Sequence, residues 1–141
     1  MKKLNVITID GPSASGKGTL SRGIANRFGF DILDSGLLYR LYAFLANAKI
    51  NIDEIKEKIK KDISFLPKVD GVAVIFEGDE ITDQLRTEEI AKLASAFSAK
   101  KEVRKSLFDI QRSFYNDRGL VADGRDMGTV VFKDAKLKIF L

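Results

Sequence analysis

The chain has 141 residues, 24 Lys and Arg against 20 Asp and Glu, and a net charge of +4. It contains no cysteine and no histidine. That excludes disulfides, thiolate nucleophiles, an imidazole base and Cys/His metal sites, leaving Lys, Arg, carboxylates, hydroxyls and backbone amides to carry any chemistry. The length suits one ordinary domain, and the charge favours anionic small molecules without arguing for nucleic acid. No apolar stretch reaches the length of a membrane span, so no membrane role is expected, and the lack of cysteine fits a reducing cytoplasm.

The first apolar run, Val6 to Asp10, predicts a buried strand. It opens into Gly11, Pro12, Ser13, Ala14, Ser15, Gly16, Lys17, Gly18 and Thr19, followed by a helix from Lys17 to Phe28. Glycine-bounded loops of this kind wrap their N–H groups around phosphate, a lysine adds a cation, and the helix N-terminus faces the same anion. The order is G-x-x-x-x-G-K, with Gly18 where a hydroxyl is usual and the hydroxyl one place later at Thr19. These residues indicate a nucleoside-triphosphate site.

Leu20, Ile24 and Phe28 recur at four-residue spacing, which predicts the inner face of the first helix, and Gly29 is placed to end it. A second strand is expected over Phe30 to Asp34. The helix beginning near Ser35 would bury Leu38, Leu41, Tyr42 and Leu45. A third helix, Asp53 to Lys61, carries Ile55 and Ile59, with Asp53 as the expected N-cap; Lys56, Lys58, Lys60 and Lys61 read as its solvated face.

The period then changes. Ile63 to Val69 and Val72 to Glu77 flank Asp70-Gly71, a hairpin signal, and Gly78-Asp79 begins another turn before a short strand over Glu80 to Thr82. Thr87 should cap a helix bearing Ile90, Leu93, Ala94 and Phe97. The next, Lys101 to Tyr115, places Val103, Leu107, Ile110 and Phe114 on one face. Strands are expected again over Leu120 to Asp123 and Leu137 to Leu141. Helical segments separating apolar strands predict an α/β fold: a parallel core sheet flanked by helices, with a small antiparallel insert.

Two further clusters leave predicted strand ends: Asp34-Ser35-Gly36 with Tyr39 and Arg40, and Ala122-Asp123-Gly124-Arg125-Asp126. Ligands of open parallel sheets bind beyond those ends, so both should share one crevice with the phosphate loop. Asp123 is placed to hold magnesium through water, as is Thr19 nearer the phosphates. Arg40, Arg86, Arg104 and Arg125 suit a second anion through the guanidinium fork, although each alone also fits an ordinary surface position.

GPSASGKGT (11–19), LDSGLLYR (33–40), LRT (85–87) and ADGRDMGTVVF (122–132) together resemble the bacterial cytidylate kinases, in order and over essentially the whole chain. The resemblance implies a P-loop nucleoside monophosphate kinase moving the γ-phosphoryl group of ATP to CMP or dCMP with Mg. It implies that Gly16, Lys17, Gly18 and Thr19 hold ATP phosphates. It also implies that Ser35, Arg40, Arg104, Arg125 and Asp126 line the CMP site, with Ser95 and Arg86 in support and with Lys17 and Arg125 as the catalytic residues. Residues 1–62 and 101–141 would form the core, and 63–100 the monophosphate-binding insert. Chemically, Asp126 would accept from the cytosine amine while Arg104 donates to the ring nitrogen and carbonyl. The complete enzymes continue with a lid, further arginines and a last strand and helix; the chain as given is thus expected to bind phosphate, and CMP weakly, and to transfer slowly or not at all, the complete enzyme being a monomer. Two other readings are a kinase for UMP or a non-nucleotide acceptor, and a non-catalytic nucleotide-binding module. A GTPase is disfavoured, since no Asn-Lys-x-Asp signature is present and Gly18 replaces the magnesium hydroxyl.

Overall fold

The computed structural model describes residues 2–12 and 14–141; the Ser13 expectation lies outside them. In chain order the elements are β1 (Leu4–Asp10), α1 (Lys17–Phe28), β2 (Asp31–Asp34), α2 (Ser35–Asn47), α3 (Ile52–Lys61), β3 (Ile63–Lys68), β4 (Gly71–Phe76), β5 (Asp79–Glu80), α4 (Thr82–Leu85), α5 (Glu88–Ser98), α6 (Lys101–Arg112), β6 (Leu120–Gly124), a π-helical turn (Met127–Val131) and β7 (Ala135–Phe140).

Four strands form a parallel sheet in the order β2-β6-β1-β7. β1 lies inside it, flanked on both sides by strands that arrive more than a hundred residues later. Its register pairs Ile9 with Asp123 and Asp10 with Gly124, while β2 pairs Asp34 with Asp123. Asp10, Asp34 and Asp123 therefore end adjacent strands on the same edge, the edge where the connecting loops collect. A second sheet, β3-β4-β5, is antiparallel. The fold is the expected α/β P-loop arrangement with a small antiparallel insert.

One hydrophobic core runs through both sheets, joining Ile9, Leu33, Leu120 and Val121 to Phe65, Val74 and Leu85. The expected inner faces of α2, α3 and α6 are the observed ones: Leu38, Leu41, Ile55, Ile59, Leu107 and Ile110 are fully buried. Gly29 ends α1 in a left-handed conformation with φ 69°, its N–H donating to the Ala25 carbonyl, and Thr87 caps α5 through its hydroxyl.

Several expectations are corrected. The face of α1 against the sheet is Ser21 and Ala25, whereas Leu20 and Phe28 stand 37% and 62% exposed. The reason is chemical. Lys17 starts the helix facing β6, so the positions one and two turns later, Ser21 and Ala25, turn the same way, and the Ser21 hydroxyl lies 3.0 Å from Asp123 there. Helix α3 begins one residue earlier than expected and is capped by Asn51, whose side chain accepts from the Glu54 N–H at 2.9 Å. Asp53 lies inside its first turn.

In the β3–β4 hairpin Lys68 pairs with Gly71, so the turn residues are Val69-Asp70 and Gly71 already belongs to the strand. The left-handed pair is instead Glu77-Gly78, with φ 51° and 85°, closing the β4–β5 hairpin as a type I′ turn requires. Thr82 is not strand: it opens α4, and its Oγ1 accepts from the Val74 N–H at 2.9 Å. Helix α6 ends at Arg112 rather than Tyr115, and β7 covers Ala135–Phe140 rather than Leu137 to Leu141. Neither α4 nor the π-helical turn was foreseen.

Candidate active site

The phosphate loop bends through Ala14 at φ 63° and Gly16 at φ 88° before α1 begins. Left-handed residues set among ordinary ones turn successive N–H groups inward, making a concave anion cradle. A hollow of about 420 Å³ opens there, lined by Gly16, Lys17, Gly18, Thr19, Asp34 and Asp123, among others. Gly11 donates its N–H to the Gly124 carbonyl at 3.2 Å, tying the entry of the loop to the end of β6. Among the described residues, the buried Ser15 hydroxyl has no hydrogen-bond partner. Pro12 belongs to the stretch leaving β1.

The Lys17 ammonium reaches across the crevice. Its Nζ donates to the Gly124 carbonyl at 3.0 Å and lies 3.5 Å from Asp123 Oδ1. The Ser21 hydroxyl shares its one hydrogen between the Lys17 carbonyl at 2.7 Å and Asp123 Oδ2 at 3.0 Å. Burial pushes the Asp123 carboxyl above the ordinary aspartate range, against the opposing pull of Lys17 and Ser21. Burial likewise raises Asp34, although that carboxylate accepts from the Leu37 N–H and caps α2.

A second cavity of about 490 Å³ adjoins the first and shares Lys17 and Gly36 with it. Its walls bring together Ser35, Tyr39 and Arg40 from α2, Ser95 from α5, Arg104 from α6, and Arg125 and Asp126 from the loop after β6. Four elements thus converge on one recess containing three guanidinium groups. Arg40 is oriented by donating to the Leu85 carbonyl at 3.2 Å, and Arg104 by donating to the Ser98 carbonyl at 3.0 Å. Asp126 is exposed as a residue, yet partial burial of its carboxyl, and then the nearby Asp10 charge, raise its pKa. Tyr39 is raised by burial and by Asp126. Arg86 is not brought into this cavity: it lines a separate hollow beside the β3–β4 hairpin and donates to the Val72 carbonyl at 3.4 Å.

Three contributors went unread in the sequence. The Asp10 carboxylate, 3% exposed, accepts the N–H groups of Met127 and Gly128, both at 2.8 Å. It therefore clamps the turn that follows Arg125 and Asp126. Gly128 can approach because a β-carbon there would lie 2.7 Å from the Thr8 hydroxyl oxygen. Arg22, one turn beyond Gly18 on α1, lines the phosphate hollow. Gln111, 2% exposed on α6, accepts from the Ser35 hydroxyl at 2.7 Å. A charge closing the apolar run of β1, and a polar side chain within the apolar stripe of α6, were the available signals.

Residues 7–141 match the cytidylate kinase family. The chain belongs to the cytidylate kinase family. It is 50% identical over 143 residues to the cytidylate kinase of Pseudomonas fluorescens strain Pf0-1, an alignment covering 96% of this chain and 62% of that protein. The cytidylate kinase of Saccharophagus degradans is 51% identical over 142 residues, with 96% and 63% covered. That of Acinetobacter baylyi is 42% identical over 146 residues, with 98% and 64% covered. The chain spans less than two thirds of the length of these relatives.

Hard oxygen donors suit magnesium, and the phosphate hollow supplies the Thr19 hydroxyl with the Asp123 and Asp34 carboxylates along its wall. Among the described residues no group of three or more acidic, His or Cys side chains is arranged to hold a metal unaided. The donors fit an ion carried in on a polyphosphate. Among the described residues, no helix is long and apolar enough to cross a membrane.

Proposed function

We propose that the protein acts as an ATP-dependent kinase for CMP or dCMP, yielding ADP and CDP or dCDP. The observation that supports it is the adjoining pair of hollows with Lys17 in the wall of both: a loop built for polyphosphate on one side and a guanidinium-lined recess on the other. Phosphoryl transfer depends on positioning and charge neutralisation more than on a base, so a chain without histidine is adequate to it.

In this reading Gly11 to Thr19 cradle the ATP phosphates, Lys17 steadies the oxygens nearest the transferred group, and Arg22 adds a cation to the same wall. Arg40 and Arg125 grip the acceptor phosphate, while Arg104 and Asp126 meet the cytosine edge and Ser35 and Ser95 complete the recess. Lys17 and Arg125 act on the developing charge and are the catalytic pair. Arg86 supports from the insert, acting through the β3–β4 hairpin it fastens. Thr19 and, through water, Asp123 would hold magnesium, which when bound neutralises phosphate charge as a Lewis acid. Residues 63–100 serve as the monophosphate-binding insert on a core of 1–62 and 101–141. The partners are small molecules, with neither nucleic acid nor membrane involved, and the complete enzyme works as a cytoplasmic monomer.

Binding of CMP, dCMP, UMP and AMP, each with and without ATP, tests the proposal beside a coupled assay of ATP consumption. CMP and dCMP should bind in preference to UMP and AMP and should alone stimulate ATP consumption. Equal binding of all four, or a preference for UMP, would refute it.

A further inference from the structure

The Ser35–Gln111 hydrogen bond decides what the recess can read. Ser35 is 6% exposed and opens α2; Gln111 is 2% exposed on α6, seventy-six positions later. The Ser35 hydroxyl donates its only hydrogen to Gln111 Oε1 at 2.7 Å. A hydroxyl that has given up its hydrogen presents only lone pairs to anything else. Gly124 passes close to the Ser35 side chain: a β-carbon there would lie 3.2 Å from Ser35 Cβ.

Resting on the function proposed above, we infer that Gln111 is a positioning residue for base selection: by occupying the Ser35 hydrogen it makes Ser35 an obligatory acceptor in the recess that the Asp126 carboxylate also lines. Both residues line the same cavity. An exocyclic amine has two hydrogens to give, and these two acceptors suit it. A carbonyl in the same place meets lone pairs from both sides. To donate to that carbonyl, Ser35 would have to abandon Gln111, stranding a buried amide oxygen without a partner, which is unfavourable. Gln111 touches no ligand itself; it fixes the polarity of a group that does. The ligand class selected is an amino-pyrimidine monophosphate, with the oxo-pyrimidine rejected.

The test is titration of the protein with CMP, UMP and ATP, comparing wild type, Gln111→Met and Gln111→Glu. Methionine keeps the length and removes the acceptor, so the ratio of UMP to CMP dissociation constants should fall roughly tenfold while the ATP constant stays put. Glutamate retains an oxygen acceptor of equal reach in either protonation state and should restore the ratio toward wild type. If the methionine variant does not fold, Gln111→Leu takes its place. Preference for CMP that survives loss of the acceptor in a folded variant, or a fall in ATP and CMP binding alike, overturns the assignment. Wild-type protein with no preference between CMP and UMP instead overturns the proposed function on which it rests.

Discussion

The Asp10 carboxylate accepts the backbone N–H of Met127 at 2.8 Å, from a strand more than a hundred residues away. Its other oxygen accepts from Gly128 at the same distance. One side chain therefore couples the strand feeding the phosphate loop to the turn carrying Arg125 and Asp126. Replacing it by Ala leaves two buried donors unsatisfied, and Asp10→Ala is expected to destabilise the fold by roughly 2–5 kcal/mol. Chemical denaturation measures this; a midpoint unchanged from wild type would show that the clamp carries no stability.

Lys17→Ala should lower turnover about a hundredfold or more at saturating ATP and CMP, because a cation at the developing phosphate charge is removed. The same variant takes from Asp123 the ammonium that holds its carboxyl down, so that carboxyl should titrate higher still. Steady-state kinetics and carboxyl NMR titration read the two effects separately.

Asp126 gives a pH signature. Its carboxyl is raised first by burial and then by Asp10, and only its ionised form can accept from an amine with both oxygens. CMP affinity should therefore weaken as pH falls through the raised pKa, starting at higher pH than for an ordinary aspartate. In Asp126→Asn that acid limb should vanish and discrimination against UMP should fall. An unchanged limb would remove Asp126 from base reading.

The cap of α3 separates two neighbouring residues. Asn51→Ala should cost about 1 kcal/mol through loss of the bond to the Glu54 N–H. Asp53→Ala, inside the first turn, should cost a few tenths through the helix dipole alone. Thermal melts of the two variants compared side by side decide between them.

Gly119 precedes β6 at φ 118°, and a β-carbon there would sit 2.5 Å from the Phe30 ring. Gly119→Ala combines an unfavourable backbone with a collision against a ring, and should destabilise by roughly 2 kcal/mol or more. A melting temperature within a degree of wild type would contradict so close an approach of the ring.

The parallel strands and the inner faces of α2, α3 and α6 were legible because burial imposes a period on sequence, as with Ile55 and Ile59 on α3. Helix α1 misled because its sheet-facing positions are set by where Lys17 must point: Ser21 and Ala25 carry no apolar signal, while Leu20 and Phe28 carry one without being buried. The Asp70-Gly71 signal was real turn chemistry one residue out of register, since Gly71 pairs with Lys68. The recess was legible residue by residue through its motifs. What lay beyond reach was partnership across the fold: no local pattern tells Ser35 that Gln111 will take its hydrogen, or tells Arg86 to turn toward Val72.

Lys17 rests on the Gly124 carbonyl, the last residue of the strand whose continuation bears Arg125 and Asp126. On the proposed function, a triphosphate drawing this ammonium toward itself would loosen that tether, and filling one hollow would then alter the free energy of filling the other. Thermodynamic reciprocity then fixes a single interaction factor: whatever ATP does to the affinity for the acceptor nucleotide, the acceptor does to the affinity for ATP, in the same direction and by the same ratio.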